Sequence, residues 1–177
     1  MNAIYDHIGT TYSVTRCTDP KIASQLINAR AETLAEKPSF KTAFQQRRCL
    51  VPADGYYEWS GAEGRKVPFF VQRPDRGLFA LAGLWEHWMG ADGSELETAA
   101  LMTISPNREL SDIHDRMPLI IAPADYKTWL TGTPEETARL LKPSPDGTFE
   151  YRAATIGRTA AKPPASPPKP SDQLDLF

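Results

Sequence analysis

Short apolar segments separated by clusters of glycine, proline and aspartate are the feature that most limits how this chain of 177 residues can fold. Such segments are typical of β-strands bounded by turns. The predicted strands are residues 49–59, 68–72, 78–85, 99–104 and 119–121, with residues 150–156 as a possible last strand. Helical segments are few and do not alternate regularly with the strands. We therefore predict an α+β domain with a mainly antiparallel or barrel-like sheet and short flanking helices.

Helical signals occur at three places. Pro38 can start a helix because proline is tolerated in the first turn. The apolar residues on one face of that helix are Phe40, Ala43 and Phe44. Residues 125–130 and 134–141 are predicted to form two further short helices. Thr133 is a predicted N-cap with Glu136 three residues later, which is the spacing of a capping box.

Composition and charge restrict the functional classes. A net charge of −2 gives no basic field over the whole chain, although a local arginine cluster can still bind nucleic acid. Two cysteines and no signal-like N-terminus predict a cytoplasmic protein in a reducing compartment. No apolar run approaches the roughly 18 residues that span a membrane. No cluster of His, Cys, Asp and Glu has metal-ligand spacing, so we predict no metal and no cofactor.

One carboxylate and one histidine stand out as candidates for chemistry. Glu58 lies in an aromatic segment, and His114 is followed directly by a carboxylate and an arginine. A histidine can pass protons near neutral pH, so such a pair suits proton transfer on a charged substrate. From spacing alone, Glu58 would more often face solvent and His114 would more often be structural. The two residues are far apart in the sequence, and spacing does not show that they meet.

Five blocks of the sequence, taken in order, resemble the SOS-response-associated peptidase (SRAP) family. The blocks are residues 28–33, 47–59, 80–86, 103–107 and 114–118. Members of that family are abasic-site processing proteins. The resemblance implies the same α+β fold and a role on single-stranded DNA in the response to DNA damage. It also implies a covalent mechanism, in which an N-terminal cysteine traps the aldehyde of an abasic site as a thiazolidine.

The resemblance assigns roles to six residues. It implies three catalytic residues, which are Asn28, Glu58 and His114. It implies three DNA-binding residues, which are Arg30, Thr103 and Arg116. In these roles the asparagine orients the substrate, the glutamate is an acid/base, the histidine assists opening of the sugar ring, and the arginines contact the DNA backbone. The alternatives are a turn asparagine, solvated arginines and an ordinary half-buried strand threonine.

The N-terminal segment departs from the family. Members begin Met-Cys-Gly-Arg, whereas this sequence has Asn2, and we expect that part of the segment before Asn28 is missing. Cys17 lacks a free amine and cannot form a thiazolidine, and Cys49 is predicted to be an inert core residue. Two alternatives to the enzyme therefore stay open. One is a catalytically silent DNA-binding remnant tethered to a sliding clamp, and the other is a self-processing peptidase.

The C-terminal part of the chain changes character. We predict a divergent segment over residues 1–18, an SRAP-like domain over 19–157, a flexible proline-rich linker over 158–172 and a docking peptide over 173–177. That peptide resembles the motif by which bacterial repair proteins bind the sliding clamp, and its contact residues would be Gln173, Leu174, Leu176 and Phe177.

The expected partners are single-stranded DNA with abasic sites and the sliding clamp, for a monomer associated with the nucleoid. Three tryptophans, Trp85, Trp88 and Trp129, are predicted to be core residues rather than base-stacking platforms, because each has apolar neighbours.

Overall fold

A computed structural model of the chain describes residues 27–34, 38–89, 93 and 95–156. Its strands are β1 (Asn28–Arg30), β2 (Arg48–Ala53), β3 (Tyr56–Ser60), β4 (Val67–Gln72), β5 (Phe79–Met89), β6 (Glu95–Ile104), β7 (Met117–Pro118), β8 (Ile120–Ile121) and β9 (Glu150–Ala153). The helices are α1 (Pro38–Gln46), α2 (Tyr126–Thr131) and α3 (Pro134–Ala138). Three 3-10 turns cover Ala31–Thr33, Leu110–Asp112 and Pro123–Asp125.

The larger sheet has the strand order β1-β6-β5-β2, with β7 paired to β6 and β8 paired to β5. Only β1 runs parallel to its neighbour among the pairs of this sheet that the structure describes, and the other pairs are antiparallel. The second sheet is antiparallel throughout, in the order β3-β4-β9. The predicted α+β class with a mainly antiparallel sheet is confirmed. The described strands form two open sheets and no closed barrel.

The long strand predicted over residues 49–59 is wrong. The chain instead leaves the larger sheet after Ala53 and enters the second sheet at Tyr56. Gly55, at the junction, is buried, and a Cβ at that position would lie 2.2 Å from Cζ of Phe70 and 2.8 Å from the carbonyl oxygen of Val71. A side chain would therefore prevent the close approach of the two segments. This junction carries Glu58 into the second sheet.

The core forms where the sheets and helices pack together. Trp129, Leu81 and Met102 are among its large, fully buried side chains. The apolar face predicted for α1 is confirmed, because Phe40 and Ala43 are buried and Phe44 packs against the core.

The predicted capping box is also confirmed. The Glu136 backbone N–H donates to Oγ1 of Thr133 (3.3 Å), and the Thr133 N–H donates to Oε2 of Glu136 (2.8 Å). The helix that this box begins ends at Ala138, three residues earlier than predicted. No helix in the described part of the chain is long and apolar enough to cross a membrane.

Candidate functional site

The fold brings Glu58 of β3 and His114 to within ion-pair distance. Nε2 of His114 lies 3.6 Å from Oε1 of Glu58, and both side chains are partly shielded from solvent. This distance is slightly too long for a hydrogen bond. Catalytic contacts are often long in the absence of substrate, so a separation of this size is compatible with proton transfer through a bound hydroxyl.

A hydrogen bond from the backbone indicates which nitrogen of the neutral His114 imidazole carries the proton. The Arg116 backbone N–H donates to Nδ1 of His114 (3.0 Å). A neutral imidazole that accepts at Nδ1 carries its proton on Nε2, which is the nitrogen that faces Glu58. Oδ1 of the exposed Asp115 also lies 3.2 Å from Nδ1 and would be the partner of a protonated Nδ1.

Alternation along β3 separates the candidate acid from its aromatic neighbours. Buried Tyr56 and half-buried Glu58 share one face, whereas the opposite face presents Tyr57 and Trp59, which are 40% and 44% exposed. The rings of Tyr57 and Phe70 lie 5.0 Å apart between centroids, so these aromatics form a continuous patch. This patch was not predicted from the sequence, although the period-two pattern around Glu58 was a signal for it.

The tryptophan predictions are confirmed only in part. Trp129 is fully buried, as predicted. Trp85 is 38% exposed, so its assignment to the core is wrong. Side chains alternate along β5, so Trp85 points to the face of the sheet opposite that of the buried Leu84. It shares its face with the exposed His87. The side chain of Trp88 lies outside the described part of the structure.

Three other predicted residues lie on the β1–β6 pair, and Arg116 directly precedes β7. Asn28 and Arg30 are exposed on either side of the buried Ala29, and Arg30 is in register with Thr103. Thr103 is half-buried, and Nη2 of Arg116 donates to its carbonyl oxygen (2.7 Å) and Oγ1 (3.3 Å). The structure thus brings Thr103 and Arg116 together, while the roles of all four remain predictions.

Arg116 is paired with a residue to which the sequence analysis gave no role. Its Nη1 and Nη2 donate to Oε1 (2.7 Å) and Oε2 (2.8 Å) of Glu32. The Arg116 guanidinium is the largest cause that lowers the pKa of the Glu32 carboxyl to about 2. The carboxylate therefore stays ionised over the whole neutral range. The signal for it was its position four residues after Asn28 in the first sequence block.

Other features of the described residues do not extend this site. A groove of about 240 Å³ is lined by apolar residues such as Leu78 and Phe149 together with Arg73 and Lys142, and neither Glu58 nor His114 is among its lining residues. No group of three or more His, Cys, Asp and Glu side chains in the described part of the chain could hold a metal ion. Burial raises the pKa of the Cys49 thiol to about 11, which makes it a poor nucleophile, in agreement with its predicted inertness, although Cys49 is half-buried and does not belong to the fully buried core.

The sequence is similar to several proteins that are called abasic site processing proteins. It is 43% identical over 129 residues to the abasic site processing protein YoqW of Bacillus subtilis (strain 168), an alignment that covers 71% of this chain and 58% of the relative. It is 46% identical over 113 residues to the abasic site processing protein YobE of the same organism, with 63% and 52% covered. The chain thus spans less than two thirds of the length of these relatives.

Comparison with solved structures also finds a protein of similar fold. A crystal structure of a protein from Bacteroides thetaiotaomicron superposes with a TM-score of 0.72 and 30% sequence identity, covering 82% of this chain and 66% of that one. The family described as SOS response associated peptidase (SRAP) matches residues 8–157. This match covers most of the sequence and includes the elements that carry Glu58, His114 and the β1–β6 pair, and the chain therefore belongs to the SRAP family.

Proposed function

We propose that this chain binds single-stranded DNA at abasic sites and that Glu58 and His114 act together on the abasic sugar. The observation that carries the proposal is the 3.6 Å approach of Nε2 of His114 to Oε1 of Glu58 across two segments distant in sequence. The names of the relatives, abasic site processing proteins, support the same substrate.

The pair suits opening of a cyclic hemiacetal, which is the closed form of an abasic deoxyribose. Opening removes the proton from the anomeric hydroxyl and adds a proton to the ring oxygen, while the ring C–O bond breaks and an aldehyde C=O forms. Glu58 would accept the first proton, and the Nε2–H of His114 would supply the second. Two groups within reach of the same sugar allow both transfers without a free ion in between.

The neighbouring surface suits single-stranded DNA. Arg30 is exposed at the end of β1, and arginine binds phosphate through a planar fork of donors. Tyr57 and Trp59 are exposed on the face of β3 opposite Glu58, and aromatic side chains can stack with unpaired bases. Phosphate contacts release counterions, so the affinity should fall as salt concentration rises.

The described residues support two steps of this function and not the covalent one. Ring opening and DNA binding are the steps that these residues carry, and the covalent thiazolidine step belongs to the proposal for a whole family protein with an N-terminal cysteine. Cys49 does not supply a nucleophile for peptide cleavage, because burial keeps its thiol protonated. A role in the response to DNA damage is proposed from the family membership alone.

The test compares three single-stranded oligonucleotides by fluorescence anisotropy. One carries a natural abasic site, one carries a tetrahydrofuran analogue that lacks the anomeric hydroxyl, and one is intact. We expect the natural site to bind most tightly, with about a fivefold advantage over the analogue if one hydrogen bond to the hydroxyl is gained. Glu58→Gln and His114→Gln should each remove that advantage.

A matched control is available in a second histidine–glutamate pair. Nε2 of His87 lies 3.9 Å from Oε2 of Glu95 on the β5–β6 hairpin. His87→Gln should therefore leave the discrimination between oligonucleotides unchanged. Equal binding of all three oligonucleotides by the unaltered chain would instead favour a silent DNA-binding module.

We also propose that residues 173–177, which lie outside the described residues, bind the bacterial sliding clamp. Leu174, Leu176 and Phe177 can insert apolar side chains into a groove, while Gln173 adds a polar anchor. Such a tether would raise the local concentration of the protein at replication forks. Isothermal titration of the peptide against the clamp should give a heat signal that is lost in the Leu176→Ala, Phe177→Ala double variant.

A further inference from the structure

Glu32 contacts two residues near the site, Ser105 and Arg116. Its Oε1 accepts hydrogen bonds from the backbone N–H (3.0 Å) and Oγ (3.2 Å) of Ser105, at the end of β6. The same carboxylate holds both terminal nitrogens of Arg116, which in turn donates to the Thr103 carbonyl oxygen. Arg116 is therefore held at the end of β6 by Glu32, which is itself bonded to Ser105, and by the Thr103 carbonyl oxygen.

Arg116 contacts the proposed catalytic histidine, His114, through its backbone N–H. The Arg116 N–H is the donor that Nδ1 of His114 accepts at 3.0 Å. The competing partner of Nδ1 is the Asp115 carboxylate at 3.2 Å, which would favour a proton on Nδ1 and leave Nε2 without one. The position of the Arg116 backbone thus decides whether Nε2 presents a proton towards Glu58.

We propose that Glu32 is a positioning residue: by anchoring Arg116, it holds the His114 imidazole in the tautomer whose Nε2–H faces Glu58. The catalytic meaning of this tautomer rests on the function proposed above. The hydrogen bonds within the described part of the chain use only one of the two hydrogens on Nη1 of Arg116. The same anchor therefore leaves a donor on Arg116 for a DNA phosphate.

Nitrogen-15 NMR of the histidine side chains tests the proposal without DNA. The His114 signals are assigned by their loss in His114→Gln, and the spectrum is recorded at a pH where the imidazole is neutral. We expect the unaltered chain to show the Nε2–H tautomer. Glu32→Gln should shift the tautomer ratio towards Nδ1–H by about fivefold, the equivalent of one hydrogen bond. An unchanged ratio would overturn the proposal.

A control and a second variant keep the result decisive. Asp75 also forms a bidentate pair, accepting at 2.9 Å and 2.7 Å from Arg73, so Asp75→Asn should leave the His114 spectrum unchanged. If Glu32→Gln does not fold, Arg116→Lys removes the planar fork but keeps the charge and the backbone N–H. It should give the same shift in tautomer ratio, and an unchanged ratio again overturns the proposal.

The two proposals fail in different ways. A shifted tautomer ratio in Glu32→Gln with unchanged discrimination of abasic oligonucleotides would support the positioning role and reject the role of the histidine on the sugar. An unshifted ratio would reject the positioning role whatever the DNA-binding result. A merely structural Glu32 would lower thermal stability without moving the tautomer ratio.

Discussion

Replacing Arg48 with methionine should destabilise the domain more than replacing any exposed arginine. Arg48 is only 8% exposed and donates to four backbone carbonyl oxygens. Two of them, of Phe44 and Gln45, belong to the last turn of α1, and the other two, of Trp129 and Gly132, lie at the end of α2. The guanidinium thus caps the C-termini of two helices, where the helix dipoles favour a cation.

The expected magnitude follows from these contacts. Each lost hydrogen bond costs about 1 kcal/mol net, so four of them cost about 4 kcal/mol. Burial of the methionine side chain offsets about 1 kcal/mol of this loss. The free energy of unfolding should therefore fall by about 3 kcal/mol, which corresponds to a decrease in Tm of about 6–12 °C for a domain of this size.

Urea unfolding followed by circular dichroism measures the effect. The matched control is Arg108→Met, because the Arg108 side chain is 85% exposed and pairs with Asp146 at the surface. That substitution should change the free energy of unfolding by less than about 1 kcal/mol. If Arg48→Met is as stable as the control, then water replaces the guanidinium at the four carbonyls, and Arg48 does not stabilise the two helix ends.

Three further predictions concern stability and reactivity. Gly55→Ala should cost about 1–3 kcal/mol, because the new methyl group overlaps the Phe70 ring and a carbonyl; urea unfolding beside Gly77→Ala measures this. The Glu32–Arg116 pair should contribute about 1 kcal/mol, since the Glu32 side chain is 42% exposed. Because the folded pKa is lowered from 4.5 to about 2, this stabilisation is present above pH 4.5 and lost as the pH falls towards 2. Acid titrations of the unaltered chain and Glu32→Gln should therefore converge at low pH. In a Cys17→Ser background, Cys49 should react with a thiol reagent far more slowly when folded than in urea, because its pKa is about 11.

Local patterns in the sequence predicted the features that depend on neighbouring residues. The capping box of Thr133 and Glu136 needs only a spacing of three, and the apolar face of α1 needs only helical periodicity. The break at Gly55 was not predicted, although Pro52, Asp54 and Gly55 interrupt the apolar run and are residues typical of turns. What the sequence does not show is the close approach of Gly55 to Phe70, which is a tertiary contact.

The candidate site shows the same division. Family resemblance selected Glu58 and His114, but only the packing of the second sheet against the segment after β6 shows that they lie 3.6 Å apart. Glu32 was not selected, because a carboxylate beside an exposed arginine is ordinary on a protein surface and its contacts are with residues about 70 to 85 positions away. Its place in the first sequence block marked it only as a neighbour of Asn28, and its contacts with Ser105 and Arg116 are visible only in the structure.

The site itself can be located by following histidine resonances as abasic DNA is added. We expect the side-chain signals of His114 to shift on addition of a single-stranded oligonucleotide with a natural abasic site, and to shift less with an intact strand of the same sequence. The signals of His87, in the surface pair with Glu95, should stay in place. Tight binding of the abasic strand that leaves the His114 signals unmoved would contradict the claim that Glu58 and His114 form the abasic-sugar site.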